Sequence, residues 1–242
     1  MDWQPLLLTF QLSLLTTLLL LVIGIPVAYG LAYGRFRGKP AVEAILGLPL
    51  VLPPSVLGFY LLVLFSPTGS LGRLLDSALD VRLVFSFGGL VLASVIYSLP
   101  FMVQPIQSGF QALPLSLREA AYTLGQSPWQ TATRVLLPNI KASLLTGAVL
   151  TFAHTIGEFG LVLMIGGNIP GETKVASIAI YDEVESLNYP AAHAYSFILL
   201  VVSFGILLTV YWVNGRVSSR QGKPGIGERG LPLGPENGSG NK

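Results

Sequence analysis

Cysteine is absent from the 242 residues, histidine occurs only twice, and charged side chains make up just 11% of the chain. The first absence excludes disulfides, thiolate nucleophiles and thiolate metal sites, and leaves the redox compartment unmarked. The shortage of charge excludes more. A soluble domain carries roughly a quarter charged residues, whereas here 52% of residues are hydrophobic and the mean hydropathy is +0.66. A net charge of +2 gives no footprint for nucleic acid. No Gly-rich loop ending in Lys and Ser or Thr exists near Lys39, Lys174 or Lys223, so the chain has no Walker A route to ATP. A Gly-x-Ser-x-Gly elbow, a His-Glu-x-x-His pair and an intramembrane Asp dyad are missing too. The chain is therefore not read as an enzyme, and no metal site is expected in it.

What is present is apolar sequence in long runs. A bilayer-spanning helix needs about 20 such residues, and five stretches qualify: Leu6 to Tyr33, Ala44 to Phe65, Val84 to Phe110, Ala142 to Gly167 and Tyr195 to Val213. Their periodicity is weak because they are apolar all round. The first stretch lacks a preceding basic region and is too long for a signal core, so it reads as a retained helix. The expected fold class is all-α, a polytopic membrane protein of about five transmembrane helices. The expected division is a transmembrane domain over residues 1–216, with a hairpin at about 114–138, and a disordered tail over 217–242. Short helical pieces are expected in Ser66 to Phe85 and in Val175 to Tyr181, the latter amphipathic or re-entrant.

Prolines punctuate these spans: Pro26 in the first, Pro49, Pro53 and Pro54 in the second, Pro100 and Pro105 in the third. Each removes a helical hydrogen bond, so the spans are expected to kink or break. Tolerated kinks in a packed bundle and broken helices lining a path are both open readings.

Lys and Arg are concentrated on the cytoplasmic side of membrane proteins. Three follow span one (Arg35, Arg37, Lys39), three follow span three (Arg118, Arg134, Lys141) and five follow span five, making eleven of the fourteen on one side. Only Arg73, Arg82 and Lys174 fall opposite. The N-terminus is thereby predicted outside, and the C-terminus and the segment around Glu119 cytoplasmic.

That segment is the one elaborated polar feature between spans. Ser116 and Glu119 have capping-box spacing, which predicts a helix from about Leu117. Leu117, Ala120, Ala121 and Leu124 would share a face. Gly125 can adopt the left-handed conformation that ends a helix, and Ser127-Pro128 can start another. The hairpin either packs on its own bundle or docks into a groove on a soluble partner, with Leu117, Ala121 and Leu124 inserted.

Inside the membrane stretches the ionisable side chains are His154 and Glu158, within Thr151-Phe152-Ala153-His154-Thr155-Ile156-Gly157-Glu158-Phe159-Gly160. Such groups are costly in hydrocarbon and face a bundle interior or a wet cavity. Glu158 reads as a partner of backbone donors or a buried cation, as a gate element, or as a proton or cation relay. His154 reads as a packed, hydrogen-bonded histidine, since no ligand set at zinc spacing accompanies it. Gly157 and Gly160 permit a local helix break.

Glu119-Ala120-Ala121, three residues, Gly125, then Val135, Leu137 and Pro138 resemble the signature of inner-membrane permease subunits of binding-protein-dependent ABC importers. Leu48 to Gly58, Thr155 to Gly160 and Gly167 to Thr173 are similar to the molybdate permease branch of that family. The resemblance implies a homodimer in the inner membrane that forms a translocation path for molybdate. It further implies two cytoplasmic ATP-binding subunits, which would hold ATP and magnesium, and a periplasmic or lipid-anchored molybdate-binding protein. On this resemblance Leu117, Arg118, Glu119, Ala120, Ala121, Leu124, Gly125 and Pro138 would couple to the ATPase. Pro53, Pro54, Thr151, Thr155, Glu158 and Phe159 would form the path or gate, with oxyanion contact from the hydroxyls of Thr151 and Thr155 and from backbone amides near Pro53 and Gly157. Tungstate or sulfate is the alternative substrate. An ion-coupled secondary transporter and a non-transporting scaffold are the alternatives of a different class.

Overall fold

A computed structural model describes residues 2–79 and 82–221, and every regular element among them is helical. The expected tail over 217–242 lies outside the described residues from 222 onward, while 217–221 continue the last helix.

Helix α1 (Gln4–Tyr33) has 30 residues, about 45 Å at roughly 1.5 Å per residue, and passes through Pro26 without a break. Its buried positions, among them Leu12, Thr16, Leu20, Gly24, Ala28 and Leu31, recur every three to four residues and so make one stripe. Helix α2 (Lys39–Val51) and α3 (Pro54–Phe65) are bent by 113° at Leu52-Pro53. The second apolar stretch is thus a broken span: Pro53 and Pro54 have no N–H to continue the ladder. Helix α4 (Ser70–Leu79) is the short helix expected in the first connection.

Helix α5 (Phe87–Ala112) starts at Ser86, whose hydroxyl accepts from the Gly89 N–H at 3.1 Å, and continues through both Pro100 and Pro105. Of the two expected outcomes, kink or break, no break occurs here or at Pro26. It runs beside α1 in the same direction: Tyr33 Oη donates to the Phe110 carbonyl at 2.9 Å, and Gly24 lies against Met102 and Val103. The seam buries Leu20, Met102, Val103, Ile106 and Phe110 almost completely.

A hairpin of α6 (Leu115–Thr123) and α7 (Pro128–Gln130) follows; the latter passes through a π-helical turn at Thr131–Leu136 into α8 (Leu137–Asn139). Pro138 cannot donate a backbone bond, and the widened turn accommodates that loss. Asn139 Nδ2 donates to the Val135 carbonyl at 2.7 Å across the same turn.

Helix α9 (Lys141–Ile156) packs on α5 and α1, and α10 (Gly160–Gly166) packs on α3 and α5. Sixteen residues of α9 reach only about 24 Å at roughly 1.5 Å each, short of a hydrocarbon core of about 30 Å. The fourth apolar stretch is therefore broken at Gly157-Glu158-Phe159. Helix α11 (Ala176–Glu185) is the short piece expected in the second long connection, with Ala176, Ile178 and Ala179 buried and the helix packed on α12 and α1. Helix α12 (Tyr189–Gln221) exposes Phe197, Leu200, Phe204 and Leu208, as suits a lipid-facing helix. By length and composition α1, α5 and α12 can each cross a bilayer, and two bent pairs, α2 with α3 and Pro128–Asn139 with α9 at 78°, raise the number to five.

Candidate functional sites: a hairpin and a cleft

The hairpin is built differently from its sequence reading at one end. Helix α6 begins at Leu115 after Pro114, without a side-chain cap, so the Ser116–Glu119 capping box does not form. Proline already holds φ near the required value at the entry and supplies a rigid start in its place. The second start is as expected. Ser127 Oγ accepts from the Gln130 N–H at 3.2 Å while Gln130 Oε1 accepts from the Ser127 N–H at 3.0 Å, a complete capping box with Pro128 at the first helical position. Gly125 has φ +75, the left-handed conformation its position requires.

The apolar stripe divides into two faces. Ala121 is buried and Leu117 packs on the α1–α5 cluster, so these two point toward the bundle. Leu124 is 82% exposed, and Glu119 and Ala120 are exposed with it. Leu117, Ala121 and Leu124 therefore cannot insert together into one partner. Arg118 also turns inward, its guanidinium 4.7 Å from the centre of the Tyr33 ring. Tyr33 packs with Tyr29 and Phe110, so α6 is fastened to the seam between α1 and α5. Pro138 is exposed on the far arm of the hairpin.

The second site lies where the two broken spans meet. Position 160 is a close approach: a Cβ there would stand 3.1 Å from Pro54 Cβ and 3.4 Å from the Ser55 nitrogen. Gly58 meets α10 likewise, a Cβ falling 2.9 Å from Met164 Cβ. Beside this junction opens a cleft of about 730 Å³ whose walls include Pro54, Ser55, Tyr97, His154, Glu158 and Phe159. At about 30 Å³ each it holds on the order of 20 waters, ample for a small hydrated ion.

Glu158 is 6% exposed and its carboxylate accepts from the Leu161 N–H at 3.0 Å, capping the start of α10. Of the three readings of Glu158, the partner of backbone donors is the one with an observed bond. His154 is packed and bonded: its ring lies 3.9 Å from that of Phe101, and Nδ1 is 3.0 Å from Ser98 Oγ. Ser98 is in turn 3.2 Å from Thr155 Oγ1, which donates to the Thr151 carbonyl at 2.9 Å. Among the described residues no group of three or more His, Asp or Glu converges as a metal site.

Thr151 and Thr155 are 0% and 2% exposed and do not line the cleft. They share the α9 face turned into the bundle, whereas Ala153, His154 and Gly157 take the open one. Neither hydroxyl faces the cleft as expected; the hydroxyl-bearing residues among its walls are Ser55 and Tyr97. Pro53 is the turn residue before α3, and Pro54 opens its first turn. Sequence reading missed Glu43, one residue ahead of the second apolar stretch. Its Oε1 accepts from Gln107 Nε2 at 2.8 Å, tying α2 to α5. The only signal in the sequence was an acid at the edge of an apolar run.

An all-helical membrane bundle with two broken spans around a cleft, and a helical hairpin fastened beneath it, defines a membrane transport subunit. The chain belongs to the family described as the binding-protein-dependent transport system inner membrane component, which matches residues 20–222. It is 47% identical to the molybdenum transport system permease protein ModB of Azotobacter vinelandii, over 93% of this chain and 97% of that one. It is 38% identical to the probable sulfate transport system permease protein cysT of Anthoceros angustus, over 84% of this chain and 70% of that one. A bacterial alginate ABC transporter, solved with an alginate pentasaccharide-bound periplasmic protein, shares the fold with a TM-score of 0.72 at 22% identity; the match covers 89% of this chain and 78% of that one.

Proposed function

We propose that the chain is the permease subunit of an ATP-driven importer for molybdate, working as a homodimer with two cytoplasmic ATP-binding subunits and a binding protein outside. Likeness to a molybdenum permease over nearly the whole of both chains supports the substrate. The observation that carries the mechanism is the two-faced helix α6. Arg118 and Ala121 hold it to the bundle, and Glu119, Ala120 and Leu124 are left free for a partner.

A motor protein that closes on this free face moves the seam of α1 and α5 through Tyr33, because α6 cannot shift without it. Gly125 and Pro138 fix the hairpin's angle. ATP and magnesium belong to the motor, and this chain supplies the lever. The N-terminus lies outside and the C-terminus in the cytoplasm, in keeping with the eleven basic residues on one side.

The cleft is the path. A carboxylate repels a dianion, but the charge of Glu158 is partly satisfied by the Leu161 N–H, and the acid acts as a cap and gate element rather than a ligand. The oxyanion meets Ser55 and the first turn of α3, whose dipole favours negative charge. Selection among tetrahedral dianions rests mainly with the binding protein. The test is uptake of labelled molybdate into vesicles carrying the reconstituted complex. ATP-dependent uptake suppressed by excess unlabelled molybdate more than by sulfate supports the assignment; uptake suppressed by sulfate alone assigns the chain to sulfate, and uptake without ATP overturns the mechanism.

A further inference from the structure

Helix α11 is joined to the break between α9 and α10 by two contacts that the transport reading does not use. Ser177 Oγ donates to the Glu158 carbonyl at 2.6 Å, and the ring of Tyr181, one turn further along, lies 5.1 Å from that of Phe159. Both contacted residues belong to the break itself. The residues that wall the cleft are thus held from behind by one face of α11.

The loop that feeds α11 is tied down, and the helix is tied to that loop. Thr173, fully buried, donates its hydroxyl to the Gly166 carbonyl at 2.7 Å and accepts from the Ile169 N–H at 3.1 Å. Asp182 is gripped by Lys174 and by Asn168 Nδ2. The Ala176 N–H donates to Thr9 Oγ1 at 2.8 Å. Beyond Glu185 the chain turns at Leu187, which has φ 57 and is 71% exposed, with Glu185 exposed beside it. The C-terminal end of α11 therefore stands in the open while its flank grips the cleft wall.

We propose that Ser177 and Tyr181 are positioning residues that latch α11 to Glu158 and Phe159, so that force applied to the exposed outer end of α11 by a docking protein moves the cleft wall. This rests on the importer reading above. Neither residue touches the transported ion; each acts through the break. Binding-protein docking and cleft opening are then one motion, and an ion cannot enter unless the outer partner is seated.

The test uses the complete complex in vesicles and reads how far loaded binding protein stimulates ATP hydrolysis. Ser177→Ala removes the hydroxyl donor and Tyr181→Ala the ring. Each is expected to cut stimulation at least fivefold while unstimulated hydrolysis stays within about twofold, because α6 and the motor are untouched. Ser177→Thr, which keeps a hydroxyl, restores stimulation, and Tyr181→Phe, which keeps the ring, leaves it normal. Normal stimulation in both alanine variants overturns the latch, as does equal loss in the threonine and phenylalanine variants. Should Ser177→Ala fail to assemble, Tyr181→Ala against Tyr181→Phe decides. An unsubstituted complex that shows no stimulation removes the importer reading itself, whereas normal stimulation with insensitive variants removes only the latch.

Discussion

The guanidinium of Arg118 lies 4.7 Å from the ring centre of Tyr33, and this pair joins the hairpin to the longest helix seam of the bundle. A cation over an aromatic face is worth about 0.5–2 kcal/mol depending on desolvation. The Tyr33 hydroxyl separately bonds the Phe110 carbonyl, so ring and hydroxyl can be tested apart. Arg118→Ala and Tyr33→Leu should each lower the melting temperature in detergent, with a non-additive double mutant. Tyr33→Phe should lose only the hydroxyl bond and retain the coupling to Arg118. An additive Arg118→Ala, Tyr33→Leu pair would show that the stacking carries no energy.

Neighbouring alanines on α6 should respond oppositely to the same substitution. Ala120 is exposed and Ala121 is 5% exposed. Ala120→Arg should leave the permease folded and release the ATP-binding subunit on copurification. Ala121→Arg forces a charge against the bundle and should destabilise the permease itself, by about 3 kcal/mol or more. Glu119→Lys belongs with Ala120→Arg.

Gly125→Val places a β-branched residue at φ +75. The strain is about 1–2 kcal/mol or more, confined to the turn, since no atom stands within 4 Å of a Cβ there. Copurification with the ATP-binding subunit should fall more than the melting temperature does. Gly125→Asn, which tolerates this conformation, should retain most of the binding.

These predictions draw on features of unequal legibility in the sequence. Gly125, Ser127 and Pro128 were readable because turn and capping chemistry is local, and the structure gives each its expected geometry. Proline was ambiguous: Pro53-Pro54 breaks a span and Pro26, Pro100 and Pro105 do not. The difference is tertiary, since the intact helices are held by the α1–α5 seam on either side of their prolines. Ser116 matched a capping pattern that Pro114 pre-empted. Facing was the least legible. Leu117 and Leu124 sit two turns apart, yet only tertiary packing against the cluster around the α1–α5 seam decides that the first is covered and the second is free. Thr151 and Thr155 failed for the same reason, because either face of an apolar helix can look inward.

Glu158 separates a cap from a proton carrier. Glu158→Gln keeps an oxygen that can accept from the Leu161 N–H, so uptake should stay within a few-fold of the unsubstituted complex. Glu158→Leu strands that N–H, costing about 1–3 kcal/mol, and should lower both stability and uptake. Abolished uptake in Glu158→Gln with unchanged stability would instead assign the acid to proton or cation transfer.

Close approach of the two broken spans should be intolerant of side-chain volume. Gly58→Val brings a Cβ to 2.9 Å from Met164 Cβ and 3.2 Å from Leu161 Cα. Overpacking of this kind costs about 1–3 kcal/mol. The melting temperature should drop, and Met164→Ala should relieve little of the drop, because alanine keeps the Cβ at 2.9 Å and removes only the Cγ contact at 3.3 Å.

The lever is tested most directly by cross-linking, which the cysteine-free sequence makes clean. Single cysteines at positions 120, 121 and 124 would be introduced, and the complete complex treated with a short thiol-to-amine cross-linker. The account predicts products with the ATP-binding subunit from Ala120→Cys and Leu124→Cys, with yields that change between nucleotide-free and ATP-bound states, and none from Ala121→Cys. No product from either exposed position, with the complex intact, would contradict it.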